Sequence, residues 1–248
     1  MDAHSIEATT AIEERHWWYR ERRAILGREQ HRLRLSGQLA PSGWGRLRPP
    51  GRAIEIGAAG GGNSLALKKL GWDVLATEYL DAGVRIAKER GLNAIQADAR
   101  DLPVPSESFD LAVAFDVLEH IEEDHLAAAE LCRVLRPGAT ALVAVPCDMA
   151  LWSEHDVASG HFRRYTRDGL AELLSKAGLA VEALWSWNVL LRPVVALRRR
   201  TSTGSDVDDV HPVVNACLGA IVKAERFLPV RRLPGVSLMA RARRPKLR

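Results

Sequence analysis

Gly57, Gly60, Gly61 and Gly62 fall within six residues, the first of them closing the short apolar run AIEIG (53–57). A turn without Cβ atoms lets the backbone approach a ligand closely and adopt positive φ. A helix that starts there offers unpaired N–H groups. An acid then closes each later apolar run: Glu78 ends WDVLATE (72–78), Asp98 ends NAIQAD (93–98) and Asp116 ends DLAVAFD (110–116), with Glu55 inside the first run. Glu78 lies about 20 residues past the turn, where a carboxylate can accept hydrogen bonds from ribose hydroxyls. Taken singly, each acid reads equally well as a solvated loop residue or a helix cap. Ligands of open α/β sheets sit outside the carboxyl ends of the strands, so the four acids converge on one crevice.

Groups suited to proton transfer follow. His120 lies in DVLEH, just after the fourth apolar run, and is either a base or a helix-start histidine packed under the ligand. The segment LWSEHDVASGHFRRYTRDG (151–169) holds Trp152, His155, Asp156, His161, Arg163, Arg164 and Tyr165. Histidine titrates near neutrality and suits proton removal from a phenol or carboxylic acid. Adjacent arginines can clamp a carboxylate or phosphate. The bland alternative is a helical lid whose histidines cap and whose arginines pair with acids such as Glu154. His155, Asp156 and His161 match no metal-ligand spacing, and no metal is expected. HWWYRERR (16–23) mixes aromatics with arginine, as a nucleic-acid or headgroup surface does; the alternative is an arm packing its tryptophans over the mouth of the site.

These residues need a frame. Apolar runs alternate with helical patterns from Arg52 to Pro146: helices at 63–70, 81–91 and one ending at 131–138 separate strands at 53–57, 72–78, 93–98, 110–116 and 139–146. That alternation predicts an α/β fold, a doubly wound, mostly parallel sheet with helices on both faces. DGLAELLSKAG (168–178) reads as an amphipathic helix and LAVEALWSW (179–187) as a strand. Residues 1–36 read as helix, and the Gly/Pro-rich stretch 37–51 sets them apart as an appended arm. NVLLRPVVALRRR and PVVNACLGAIVKAERFL form two apolar helical pieces separated by RTSTGSDVDD, a candidate mobile loop. VSLMARARR (236–244) reads as a closing strand. The expected parts are thus an arm or lid (1–51), a core (52–187), a helical insertion (188–235) and a closing strand with a basic tail (236–248).

At 248 residues with 47% hydrophobic and 27% charged residues, the chain is an ordinary globular protein and not a disordered one. Residues 224–248 carry eight basic side chains against one acid, so the net charge of +4 belongs to the tail, which reads as a local patch for phosphate, an acidic substrate or a membrane surface. Cys132, Cys147 and Cys217 show no CxxC or Cys/His pairing, which points away from disulfides and zinc and toward a cytoplasmic, reducing compartment. No apolar run is long enough to span a membrane; peripheral contact and a homodimer both stay open for the insertion helices.

EIGAAGGGNS, ATEYL, QADARDLP, FDLAVAFDVLEHIEE and RVLRPGATALVAVP resemble, in order and spacing, the signature segments of class I S-adenosylmethionine-dependent methyltransferases, over roughly residues 52–187. The resemblance implies a seven-stranded sheet with VSLMARARR as an antiparallel last strand, and S-adenosylmethionine as cofactor. It implies that Glu55, Gly57 and Gly61 form the floor under the amino-acid part of the cofactor. Glu78, with Tyr79 beside it, would hold the ribose; Asp98 and Ala99 would face the adenine amino group. Asp116 and Leu118 would border the methionine moiety. Ala59 stands where the family most often has glycine, and its methyl group fits if φ stays negative. His120, His155, His161, Arg164 and Tyr165 are the catalytic candidates, acting on a small-molecule acceptor, acidic or amphipathic, of natural-product or lipid type. The rivals are RNA or protein methylation and a cofactor-binding homologue that does not methylate. DVLEH lacks the Asn/Asp-Pro-Pro-aromatic run of base-amine methylases, so no nucleic-acid partner is expected.

Overall fold

A computed structural model describes residues 2–37, 51–201 and 210–246. Its strands are β1 (Arg52–Ile56), β2 (Asp73–Glu78), β3 (Asn93–Gln96), β4 (Phe109–Phe115), β5 (Leu135–Pro146), β6 (Ala180–Trp187) and β7 (Ser237–Arg243). They form one seven-stranded sheet in the order β3-β2-β1-β4-β5-β7-β6. β7 runs antiparallel to both β5 and β6, and the other pairings are parallel, as the resemblance implied. The central strands are largely apolar because both faces are covered: Ala53, Ile54, Leu111, Ala112 and Val113 are all buried.

The helices are α1 (Ala3–Ile12), α2 (Trp17–Leu35), α3 (Gly62–Lys69), α4 (Asp81–Glu89), α5 (Asp124–Val134), α6 (Glu154–Ala158), α7 (Arg167–Lys176), α8 (Arg192–Thr201) and α9 (Pro212–Ala224). α5 and α7 cover one face of the sheet with Leu131, Leu170 and Leu174. On the other face Ile25, Leu26 and Leu33 of α2 share a core with Leu67, Leu111, Val113 and Met239.

The structure departs from the sequence reading at several points. Residues 1–36 form two helices, not one. His16 caps α2, its side chain accepting from the Trp18 amide, and no glycine or proline marks the break. α2 is also a layer of the core, not an appendage. Its three buried aliphatic side chains each contribute about 1.5–3 kcal/mol of burial. β5 begins at Leu135, inside the expected end of the preceding helix, because Leu135 pairs with Phe109 ahead of a register shift. The expected mobile loop RTSTGSDVDD falls largely on residues 202–209, and most of the Gly/Pro stretch on 38–50; both lie outside the described residues.

Part of the basic tail is paired within the protein: Arg226 with Glu21, Arg241 with Glu29 and Glu182, Arg243 with Glu182, and Arg244 with Glu107. Arg231, Arg232 and Lys246 stay exposed, and Arg248 lies outside the described residues. Half of the tail's basic residues are thus met by acids far away in sequence, which composition does not reveal. No helix of the described residues is long and apolar enough to cross a membrane.

Candidate active site

Parallel register brings the strand ends together. Ile56 pairs with Thr77, Glu78 with Gln96, and Phe115 with Ala144, so Glu78, Asp98 and Asp116 follow one another along a single edge of the sheet. Gly57 and Gly61 take φ of +68° and +83°, and a Cβ on Gly57 would stand 2.5 Å from Val117 Cγ2. Glycine is required at both positions by backbone conformation as well as by space. Gly60 and Gly62 have another reason for being small. Their missing Cβ atoms make room for Thr10 of α1 and for Glu13 just beyond it, and Arg90 ties the same place by bonding the Gly60 carbonyl at 2.6 Å and the Glu13 carboxylate. Half of the turn's openness therefore serves the arm.

Ala59 overturns the expectation of negative φ: it sits at +46°. Its amide donates to Glu78 Oε2 at 2.8 Å, and the left-handed conformation that aims it there costs a non-glycine residue about 1–2 kcal/mol.

Glu55 lies under the turn, fully buried, accepting from Ser64 Oγ at 2.5 Å and Asn63 Nδ2 at 3.0 Å. Burial pushes its carboxyl up to about 7 against the opposing pull of those two hydrogen bonds. Glu78 accepts from the amides of Ala59 and Leu80, one on each oxygen; each oxygen keeps a second lone pair for a ligand hydroxyl. Tyr79 beside it is exposed, and Ala99 is half-buried. Asp98 accepts from Arg100 Nη2 at 2.7 Å and from the Arg100 amide at 2.9 Å, which hold it below the usual carboxylate range.

Asp116 takes φ +57° with its amide bonded to Ala144 O. Its carboxylate receives Arg22 of α2 at 2.5 and 2.6 Å. The Arg22 guanidinium stands 5.1 Å from the Trp18 ring, 5.4 Å from Phe115 and 4.9 Å from Trp187, a cation held among three π faces. Sequence reasoning missed Arg22; its signal was the aromatic-arginine mixture of HWWYRERR. Trp18 of the arm lies against this guanidinium and 4.4 Å from the Trp187 ring. Leu118 is buried directly below.

The candidates on the acceptor side meet around Asp156, which is fully buried. His161 Nδ1 lies 2.8 Å from its Oδ1, Arg164 Nε donates to the same oxygen at 2.8 Å, and Arg199 reaches Oδ2 at 3.4 Å. Burial alone would raise the Asp156 pKa; the His161 hydrogen bond and the nearby guanidinium groups bring it well below the ordinary value. Arg164 also donates to the Cys147 carbonyl, and Arg163 is bound to Asp124 and the Glu122 carbonyl. Both arginines are thus already paired within the protein, Arg164 buried and Arg163 half-buried. Tyr165 donates to Asp124 at 2.7 Å, and burial followed by that carboxylate raises its phenol well above the ordinary value. His155 packs at 6.1 Å from the His161 ring.

His120 stacks edge-on to His161 at 4.6 Å. Burial, then His161, lowers its pKa to about 3, so the ring is neutral and a weak base. The structure groups Glu119, His120 and His161, a set the sequence reading did not single out: it weighed His155, Asp156 and His161 and expected no metal.

A family profile described as "Methyltransferase domain" matches residues 18–184, about two thirds of the chain. The chain is 27% identical over 176 residues to a "Probable S-adenosylmethionine-dependent methyltransferase" of Mycolicibacterium smegmatis, covering 69% of this chain and 62% of that one. It is 32% identical over 132 residues to a "Probable phthiotriol/phenolphthiotriol dimycocerosates methyltransferase 2" of Mycobacterium ulcerans, covering 50% and 51%. The chain thus spans about half to three fifths of the length of these curated relatives. Among solved structures, the complex of the Haloferax volcanii Trm112 methyltransferase activator with a methyltransferase aligns with TM-score 0.62 at 18% identity, covering 99% of this chain and 96% of that one; this likeness shows the fold.

The residues present fit S-adenosylmethionine. Glu78 keeps a lone pair on each oxygen for a pair of ligand hydroxyls. The Asp116 side chain is 38% exposed at the end of β4 with its carboxylate paired to Arg22. Matched by profile over most of its sheet, the chain belongs to the methyltransferase-domain family of S-adenosylmethionine-dependent enzymes.

Proposed function

We propose that the protein transfers the methyl group of S-adenosylmethionine to an oxygen, nitrogen or carbon of a small amphipathic acceptor, in natural-product or lipid tailoring. The bound sulfonium supplies an already activated methyl group. Glu78 binds the ribose, Asp98 and Ala99 the adenine, and Glu55, Gly57 and Gly61 support the amino-acid end. What this chain adds is alignment and exclusion of water, and holding the reactants in line lowers the barrier by about 7–11 kcal/mol.

The observation that carries this reading is a pair of clasps. Arg22 binds Asp116 at the end of β4, and Arg192 of α8 binds Asp148, just past β5, at 2.5 Å. Helices on both sides are thereby pinned beside the ends of β4 and β5, which suits a compact acceptor better than a duplex or a protein tail. α8 leaves Val194 and Leu197 exposed on its other side, an apolar approach for an amphipathic molecule. With Arg163 and Arg164 engaged inside the protein, the acceptor is amphipathic rather than acidic. The relative acting on phthiotriol dimycocerosates supports the same class. The free thiols of Cys132, Cys147 and Cys217 fit a reducing cytosol.

A methyl-release assay tests the reading, with hydroxylated aromatic and long-chain amphiphiles offered beside bulk RNA and denatured protein. Turnover confined to amphiphiles supports it. Turnover on RNA that falls steeply with salt, or none on any amphiphile, contradicts it.

A further inference from the structure

We propose that Glu119, His120 and His161 form a binding site for a divalent transition-metal ion at the acceptor edge of the crevice. One ligand atom from each residue lies within 4.8 Å of the others. Two imidazoles and a carboxylate suit zinc, iron, manganese or cobalt, in contrast to the all-oxygen sets that magnesium and calcium prefer.

Three observations support the site independently of one another. The first is unmet polarity. Glu119 Oε2 and His120 Nδ1 are both buried with no hydrogen-bond partner, and Glu119 is 1% exposed. Each such orphan costs about 1–3 kcal/mol, and buried polar atoms are seldom left this way. An ion would satisfy both at once.

The second is orientation. Asp156, itself buried, accepts from His161 Nδ1 at 2.8 Å, which leaves the lone pair on Nε2. A carboxylate behind a histidine is the usual outer support of a metal ligand, fixing its tautomer and raising its basicity. Arg164 and the Ser153 amide hold that carboxylate in turn.

The third is that the backbone brings the parts together. The Phe162 amide donates to the Glu119 carbonyl at 2.8 Å, and the His161 amide to the Asp156 carbonyl at 2.9 Å. The loop after α6 is thereby laid against the short turn Leu118–His120. Ligand atoms around a tetrahedral ion with bonds of about 2.1 Å stand about 3.4 Å apart, so side-chain rotation need close the set from within 4.8 Å by at most about 1.4 Å.

The test uses the full chain stripped with EDTA. Titration with zinc followed by calorimetry, and with cobalt followed by visible absorption, is expected to give one equivalent bound and the d–d bands of a nitrogen- and oxygen-ligated cobalt. Glu119→Gln, His120→Asn and His161→Asn are each expected to weaken metal binding at least tenfold while retaining S-adenosylhomocysteine affinity within about twofold, which shows that they fold. Absence of saturable binding by the wild-type chain overturns the site, as does unchanged metal affinity in the three variants. The site does not depend on which acceptor is methylated: a chain that takes up the metal but no S-adenosylhomocysteine would sink the methyltransferase reading and leave the site standing.

Discussion

At the ends of β1 and β2 the carboxylates are met by backbone amides and small side chains. Glu78 accepts from Ala59 and Leu80, and Glu55 from Ser64 and Asn63. Beyond β5 the buried Asp156 is met by an imidazole and a guanidinium group from the loop after α6 and by a second guanidinium group from α8. In the first arrangement Glu78 keeps lone pairs for a ligand, as a binding surface requires, while Glu55 is buried under the turn. The second closes upon itself and holds a loop in place. Similar residue types thus stay partly open in one half and are closed off in the other, according to whether backbone amides or charged side chains meet them.

The sharpest way to break this comparison is Asp156→Ala. It leaves Arg164 and Arg199 buried without their acid, and losing one side of a buried pair costs about 3–5 kcal/mol. Chemical denaturation should show a loss of that size; a loss below about 1 kcal/mol would mean the cluster is not architectural.

Glu55 tests the other half through pH. Its folded-state pKa of about 7 lies above its unfolded value, so its favourable contribution is full below about pH 4.5 and is lost as pH rises through 7. Relative to Glu55→Gln, the wild type should lose about 3 kcal/mol of stability between pH 4.5 and 8. Parallel stability curves for the two proteins would contradict the shift.

Ala59→Gly carries the smallest effect on stability. Relief of positive φ outweighs the extra freedom of the unfolded chain, giving a gain of up to about 1 kcal/mol. A loss in thermal or denaturant melts would show that the turn relaxes around alanine.

The same contrast explains what the sequence made legible. Strands buried on both faces leave uninterrupted apolar runs, so β1, β2 and β4 could be read together with the acids that close them. Local chemistry was equally visible in the glycines at 57 and 61. The break between α1 and α2 was hidden because His16 supplies the cap with no glycine or proline at hand. Arg22 on Asp116, Arg199 on Asp156 and His161 beside Glu119 and His120 join residues far apart in the chain, and spacing along a sequence carries no trace of such meetings. The φ of Ala59 was misjudged because the constraint comes from Glu78, 19 residues later.

The central claim is that the edge formed by Glu78, Asp98 and Asp116 holds the cofactor. Calorimetric titration of the wild type and Glu78→Ala with S-adenosylhomocysteine tests it directly. One equivalent bound by the wild type, at least tenfold weaker in a variant that still melts cooperatively, is the expected result, a change of about 1.4 kcal/mol. Equal affinity in the two proteins, or no uptake by either, would contradict it.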